Sequence, residues 1–162
     1  MEKDSLWEFE NILIPLDGSK ISENALKYGV SIAGKYGAGI VLVSVFSSKD
    51  KDSLFKKRIQ EMNPKLAGDI SKMPLTYLMQ TYHEILKKAI VKQKISVKSV
   101  LRDERISAKT VVNVLKEAVN KEKIDLVIMS SHGKSGFKRP KMGSITEELL
   151  KNLEIPVLLV EK

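Results

Sequence analysis

The sequence contains no cysteine, which excludes disulfides, thiolate metal sites and cysteine nucleophiles together and is compatible with a reducing compartment. Aromatic residues make up only 6% of the chain, and none is interleaved with the basic residues as a stacking surface for bases requires, which argues against nucleic acid as a partner. The longest apolar runs, such as 40–43 and 157–160, are far too short to cross a bilayer. Residues 1–10 carry Glu2, Asp4, Glu8 and Glu10 and are followed by no apolar stretch of signal-peptide length. The expectation is therefore a soluble, cytoplasmic protein with no membrane partner.

The formal net charge is +8. Most lysines are spread along the chain, as expected for residues that solvate helix faces, but Lys134, Lys138, Arg139 and Lys141 fall together. At 162 residues the chain has the size of one domain, able to bury about 70% of its unfolded surface. A single domain over residues 1–162 is expected, with a charged insertion at about 47–74. Within that insertion Pro64, Gly68 and weak periodicity predict a flexible or partly helical flap.

Five short apolar segments rich in β-branched residues read as strands: 12–16, 40–46, 96–101, 124–130 and 156–160. Near-continuous apolar runs suit a parallel sheet covered on both faces. The more alternating 96–101 belongs nearer an edge. Helical spacing covers 24–36, 75–90, 109–121 and 144–153. Ser22 is positioned to cap the first helix, Gly37 with Gly39 to end it, and Ser144 with Glu147 to form a capping box on the last. Such alternation predicts an open five-stranded, doubly wound parallel sheet with right-handed crossovers and helices on both faces. Ligands of such sheets bind beyond the carboxyl ends of the strands where the winding reverses, here between the first and fourth strands.

Two stretches fall at that point. Asp17-Gly18-Ser19 follows the first strand. Ser130-Ser131-His132-Gly133-Lys134-Ser135-Gly136 follows the fourth, and Gly143-Ser144 opens the last helix. Glycines admit close backbone approach, and a helix start offers unpaired N–H groups to an anion. The basic cluster between them suits phosphate charge. The P-loop pattern fails because its earlier glycine would be Ile128, and the GxGxxG pattern fails because 17–20 supplies one glycine. His132, with Asp17 across the switch point, is the one candidate general base, though a loop histidine also serves as a plain backbone partner. His83 reads as surface or core-edge packing, and Met73, Met79 and Met129 as core filler. Asp17 either meets a ligand or caps its own turn.

The run Ser130-x2-Gly133-x9-Gly143-Ser144 resembles the late signature Gly-x2-Gly-x9-Gly-Ser/Thr of the universal stress proteins, with Ser130 in place of the first glycine. The opening Ile12-Leu13-Ile14-Pro15-Leu16-Asp17-Gly18-Ser19 and the closing Ile155-Pro156-Val157-Leu158-Leu159-Val160 look like that family's first and last strands. The resemblance implies a Rossmann-like fold of the adenine nucleotide alpha-hydrolase-like kind, binding ATP (or ADP or AMP) with Mg²⁺ or Mn²⁺ held by phosphates. By resemblance, Pro15, Leu16, Asp17 and the backbone near Val45 frame adenine, and Ser130 and Gly133 lie along the ribose and first phosphate. Gly143, Ser144 and Ile145 hold the outer phosphates, with Ser131, His132, Lys134, Ser135, Gly136 and Thr146 in the same lining. It further implies a stress-response or regulatory module with little or no catalysis, forming a homodimer through 156–160. The alternatives are a slow ATP-hydrolysing enzyme of related fold, or a family member without ATP that works through protein contacts.

Overall fold

The computed structural model describes residues 8–50, 54–66, 68, 70–132 and 142–161. Among them the strands are β1 (Asn11–Pro15), β2 (Gly39–Phe46), β3 (Val97–Asp103), β4 (Leu126–Ser130) and β5 (Val157–Val160). The helices are α1 (Lys20–Tyr36), α2 (Leu54–Met62), α3 (Leu75–Val91), α4 (Ala108–Lys121) and α5 (Ser144–Asn152). The five strands form one sheet in the order β3-β2-β1-β4-β5, each pairing parallel to its neighbours. This is the expected open, doubly wound sheet, with β3 at an edge.

Strand alternation sorts the core into two layers. Ile12, Ile14, Ile40 and Leu42 face α1, α2 and α3, joining a cluster with Ala25, Phe55, Ile59, Leu78 and Tyr82. Leu13, Val41, Val43 and Val127 face the opposite way, toward Val112, Leu115 and Ala118 of α4 and Leu149 of α5. α1 approaches the sheet so closely at Gly29 that a Cβ there would lie 2.4 Å from Ile14 Cδ1. The chain winds outward from β1 through β2 to β3, then crosses to β4 and β5, so the reversal lies between β1 and β4.

Several helix ends differ from expectation. α1 begins at Lys20, so Ser19, not Ser22, is its cap: Ser19 Oγ accepts the Ser22 amide at 3.1 Å. Gly37 ends the helix as expected, at φ 71°. In α5 the extended residue before the first turn is Gly143, and Ser144 is already helical, so the proposed Ser144 capping box is replaced by an end without a side-chain cap.

The insertion holds α2 and two 3₁₀ turns, Pro64–Leu66 and Ile70–Lys72, and it is seated in the core. Phe55, Ile59 and Ile70 are buried, and Phe55 meets Tyr82 edge-on with ring centroids 5.4 Å apart. Arg58 donates to both Glu23 oxygens at 2.7 and 2.9 Å, and the carboxylate also accepts from Tyr82 Oη at 3.3 Å. Burying a Phe and an Ile stabilises by roughly 1.5–3 kcal/mol each, whereas a partly exposed ion pair contributes about 1 kcal/mol or less. Apolar burial therefore docks α2, and the ion pair sets its orientation.

His83 departs furthest from its expected place. It is 1% exposed, with Nε2 2.8 Å from Ser44 Oγ on β2 and Nδ1 3.0 Å from Ser99 Oγ on β3. Burial, with a smaller contribution from Lys87, lowers its pKa from 6.5 to about 4. The unfolded chain therefore takes up a proton that the folded chain refuses as pH falls from 6.5 toward about 4. Stability should be fully present above this window and fall within it by up to about 3 kcal/mol. Urea unfolding across the window checks this, and His83→Gln should flatten that part of the profile.

Candidate functional site

At the carboxyl ends of β1, β2 and β4 lies a cavity of about 300 Å³, at the low end of the ~300–1,000 Å³ usual for small-molecule sites. Pro15, Leu16 and Asp17 form one wall, Met129, Ser130 and His132 another, and Gly143, Ser144, Ile145 and Thr146 a third. Val43 and Val45 from β2 line its depth, with Ile106, Val111 and Leu115 from the segment before α4 and from α4 itself. The sheet places these residues together because the chain leaves β1 for α1 on one face and leaves β4 for α5 on the other.

The turn after β1 is tightly built. Asp17 Oδ1 accepts from the Ser19 amide at 2.9 Å and the Ser19 hydroxyl at 2.5 Å, so its carboxylate braces its own turn while lining the cavity. Gly18 sits at φ 86°, and a Cβ there would meet Phe55 N and Cδ1 at 2.9 Å. Only glycine satisfies both that backbone and the closeness of α2. The insertion thus rests directly on the loop beside the cavity.

On the other side, Ser131 N donates to Val160 O at 3.1 Å, and Gly143 N donates to Ser131 O at 3.0 Å. These two bonds fix the start of α5 against the end of β4. The Glu147 amide makes the first helical bond, to Gly143 O at 3.0 Å, so the amides of Ser144, Ile145 and Thr146 precede it and have no helical carbonyl to bond. With glycine as the cap, the positive end of the α5 dipole faces the cavity unscreened by a side chain. Thr146 Oγ1 instead donates to Ser130 O at 3.4 Å, and Ser130 Oγ accepts from the His132 amide at 3.3 Å. Serine at the signature position is therefore accommodated by a bond inside its own loop.

Of the residues expected at the site, Pro15, Leu16, Asp17, Val45, Ser130, His132, Gly143, Ser144, Ile145 and Thr146 line the cavity. Ser131 is buried just behind it. Gly133, Lys134, Ser135 and Gly136, together with the basic cluster, lie outside the described residues. Ser22, Val43, Ile106, Val111, Leu115 and Met129 also line it, and the sequence reading missed them. Val111, Leu115 and Met129 carried only the apolar periodicity that marks core, and nothing local distinguishes a core face from a cavity wall. Among the described residues, no three His, Asp or Glu side chains gather as a metal-binding group.

The family model for the universal stress protein family matches residues 8–161. The chain belongs to the universal stress protein family. Two curated members come from Methanocaldococcus jannaschii. Universal stress protein MJ0531 is 29% identical, covering 95% of this chain and 83% of its own. Universal stress protein MJ0577 is 26% identical, covering 95% and 96%. The solved structure of MJ0577 superposes with a TM-score of 0.68 at 27% identity, over 94% of this universal stress protein and 96% of that chain. A universal stress protein solved in complex with cAMP shares the fold, with a TM-score of 0.58 at 17% identity over 95% and 98% of the two chains.

Proposed function

We propose that this universal stress protein binds an adenine nucleotide, ATP in the first instance, and acts as a cytoplasmic stress-response or regulatory module through occupancy rather than turnover. One observation carries the reading: an apolar cavity at the winding reversal opens onto a helix N-terminus whose first amides have no helical carbonyl to bond and whose cap is glycine. The two ends of a nucleotide need those two environments. The base is flat and apolar enough to lie against Val45, Val111 and Leu115, and the phosphates call for convergent N–H donors. The Ser144 hydroxyl adds a further donor. Lys134, Lys138, Arg139 and Lys141, which follow Gly133 in the sequence, supply positive charge in the same segment. Mg²⁺ or Mn²⁺ is proposed to ride on phosphate oxygens, as a hard cation with few protein ligands does. The cAMP complex of a protein of this fold shows the architecture compatible with an adenine nucleotide in that protein, and here it serves as support only.

The same reading includes a homodimer. β5 closes one edge of the sheet, leaving a row of backbone groups on its outer side, and Leu158 on it is 38% exposed. Pairing two such edges about a two-fold axis satisfies both.

Mass spectrometry of nucleotide released from the purified protein, followed by calorimetric titration with Mg-ATP, tests the site. Recovered nucleotide or micromolar binding is expected, and Gly143→Asp should abolish it by placing a negative side chain at the α5 terminus. No heat at millimolar ATP would overturn the reading in favour of a member that works through protein contacts, and rapid turnover would move it to the enzymes. Sedimentation at high micromolar concentration should show a dimer that Leu158→Lys weakens; a monomeric wild type would remove that part.

A further inference from the structure

The cavity wall formed by the end of β1 depends on a polar chain that reaches it from the far side of the sheet layer. Ser44 Oγ donates to the Leu16 carbonyl at 2.8 Å. A hydroxyl has one proton, and a carbonyl only accepts, so the 2.8 Å contact between Ser44 Oγ and His83 Nε2 must be donated by the imidazole. Burial keeps the ring neutral at ordinary pH, and a neutral ring with its proton on Nε2 presents a lone pair at Nδ1. Ser99 Oγ, 3.0 Å away, therefore donates there. The order runs from the Ser99 hydroxyl to His83, from His83 to Ser44, and from Ser44 to the Leu16 carbonyl, with one tautomer throughout.

The other side of the same peptide is also held. The Asp17 amide donates to Ser22 Oγ at 3.3 Å, and that hydroxyl donates its own proton to Ser19 O at 2.9 Å. The Leu16–Asp17 peptide plane is thus gripped through its C=O by the His83 chain and through its N–H by Ser22. Leu16, Asp17 and Ser22 all line the cavity. His83 itself touches none of it.

We propose that His83 is a positioning residue of the ligand site, setting the orientation of the Leu16–Asp17 peptide through Ser44. Among the described residues, the ring's hydrogen-bond partners are Ser44 and Ser99. The β2 and β3 faces turned toward α3 contribute Leu42, Phe46, Val97 and Leu101 beside the two serines, and the charged group that bears on it is Lys87 of its own helix. An imidazole buried among apolar side chains between two serine hydroxyls is costly unless its bonds matter or are fully made. Here they are fully made, and they end on a peptide whose two residues both line the site.

The test uses the full chain and reads both the peptide and the affinity. The peptide is read by the Leu16 ¹³C carbonyl and Asp17 amide resonances without nucleotide, and affinity by titration with Mg-ATP. His83→Gln keeps an N–H donor near the Nε2 position, whereas His83→Leu removes it. The Leu16 and Asp17 resonances should move in His83→Leu and return close to wild type in His83→Gln. Mg-ATP affinity should fall about tenfold in His83→Leu, the scale of one lost hydrogen bond, and recover in His83→Gln. Ser44→Ala, a smaller change, should reproduce the His83→Leu resonance shifts even if His83→Leu folds poorly. Loss of thermal stability with both resonances unmoved in His83→Leu and Ser44→Ala would overturn the proposal and leave His83 a packing residue. The affinity readout rests on the nucleotide reading. Should wild type bind no ATP while the resonances respond as stated, the nucleotide reading fails and the positioning role stands.

Discussion

Adjacent strands β1 and β4 run parallel, yet the chain leaves one for α1 above the sheet and the other for α5 below it. No connection can then cover the gap between their carboxyl ends. Everything distinctive about the molecule follows from that gap. It admits a cavity without disturbing the close-packed layers, and it brings the β1 turn and the α5 terminus, far apart in the chain at Asp17 and Gly143, into one lining.

A crevice made this way is held by what flanks it, and the two flanks are built differently. The β4 side is fixed by backbone: Ser131 bridges Val160 and Gly143 through its own amide and carbonyl. The β1 side is fixed by side chains on α2 and α3. Phe55 presses on Gly18, Arg58 and Tyr82 hold Glu23 of α1, and the buried His83 chain ends on Leu16. Leaving any one buried donor or acceptor of that chain unmade costs roughly 1–3 kcal/mol, so its members stand or fall together. α3 is thereby a buttress for the site although none of its residues lines the cavity.

How much of this the sequence displays depends on the range of each signal. Strands and long helices carry their own period, and the order of β1, β2, β3, β4 and β5 with the winding reversal was legible from it. Ser19 and Gly143 were displaced by one to three residues from the expected caps because a cap depends on where the backbone turns, which composition alone does not fix. The α2 segment is weakly periodic in sequence because its apolar stripe is only Phe55, Ile59 and Met62 in nine residues that also carry Lys56, Lys57, Arg58 and Glu61. Its helix is determined by burial against Tyr82. His83 was least legible of all. Its partners lie 16 and 39 residues away, and no local pattern joins a histidine on a helix to serines on two strands. Of the expected site residues that are described, all but Ser131 line the cavity, because glycine spacing and strand ends are local. The apolar wall from Ile106, Val111 and Leu115 was missed because it forms only when α4 packs.

The proposed seat of the nucleotide is the gap between β1 and β4. Amide chemical-shift mapping during a titration with Mg-ATP tests it most directly. Saturating shifts are expected at Ser144, Ile145, Thr146 and Asp17, with smaller ones at Val45 and Leu115. Shifts confined to other surfaces, such as the outer groove of Lys109, Asn113 and Glu148 between α4 and α5, would contradict it.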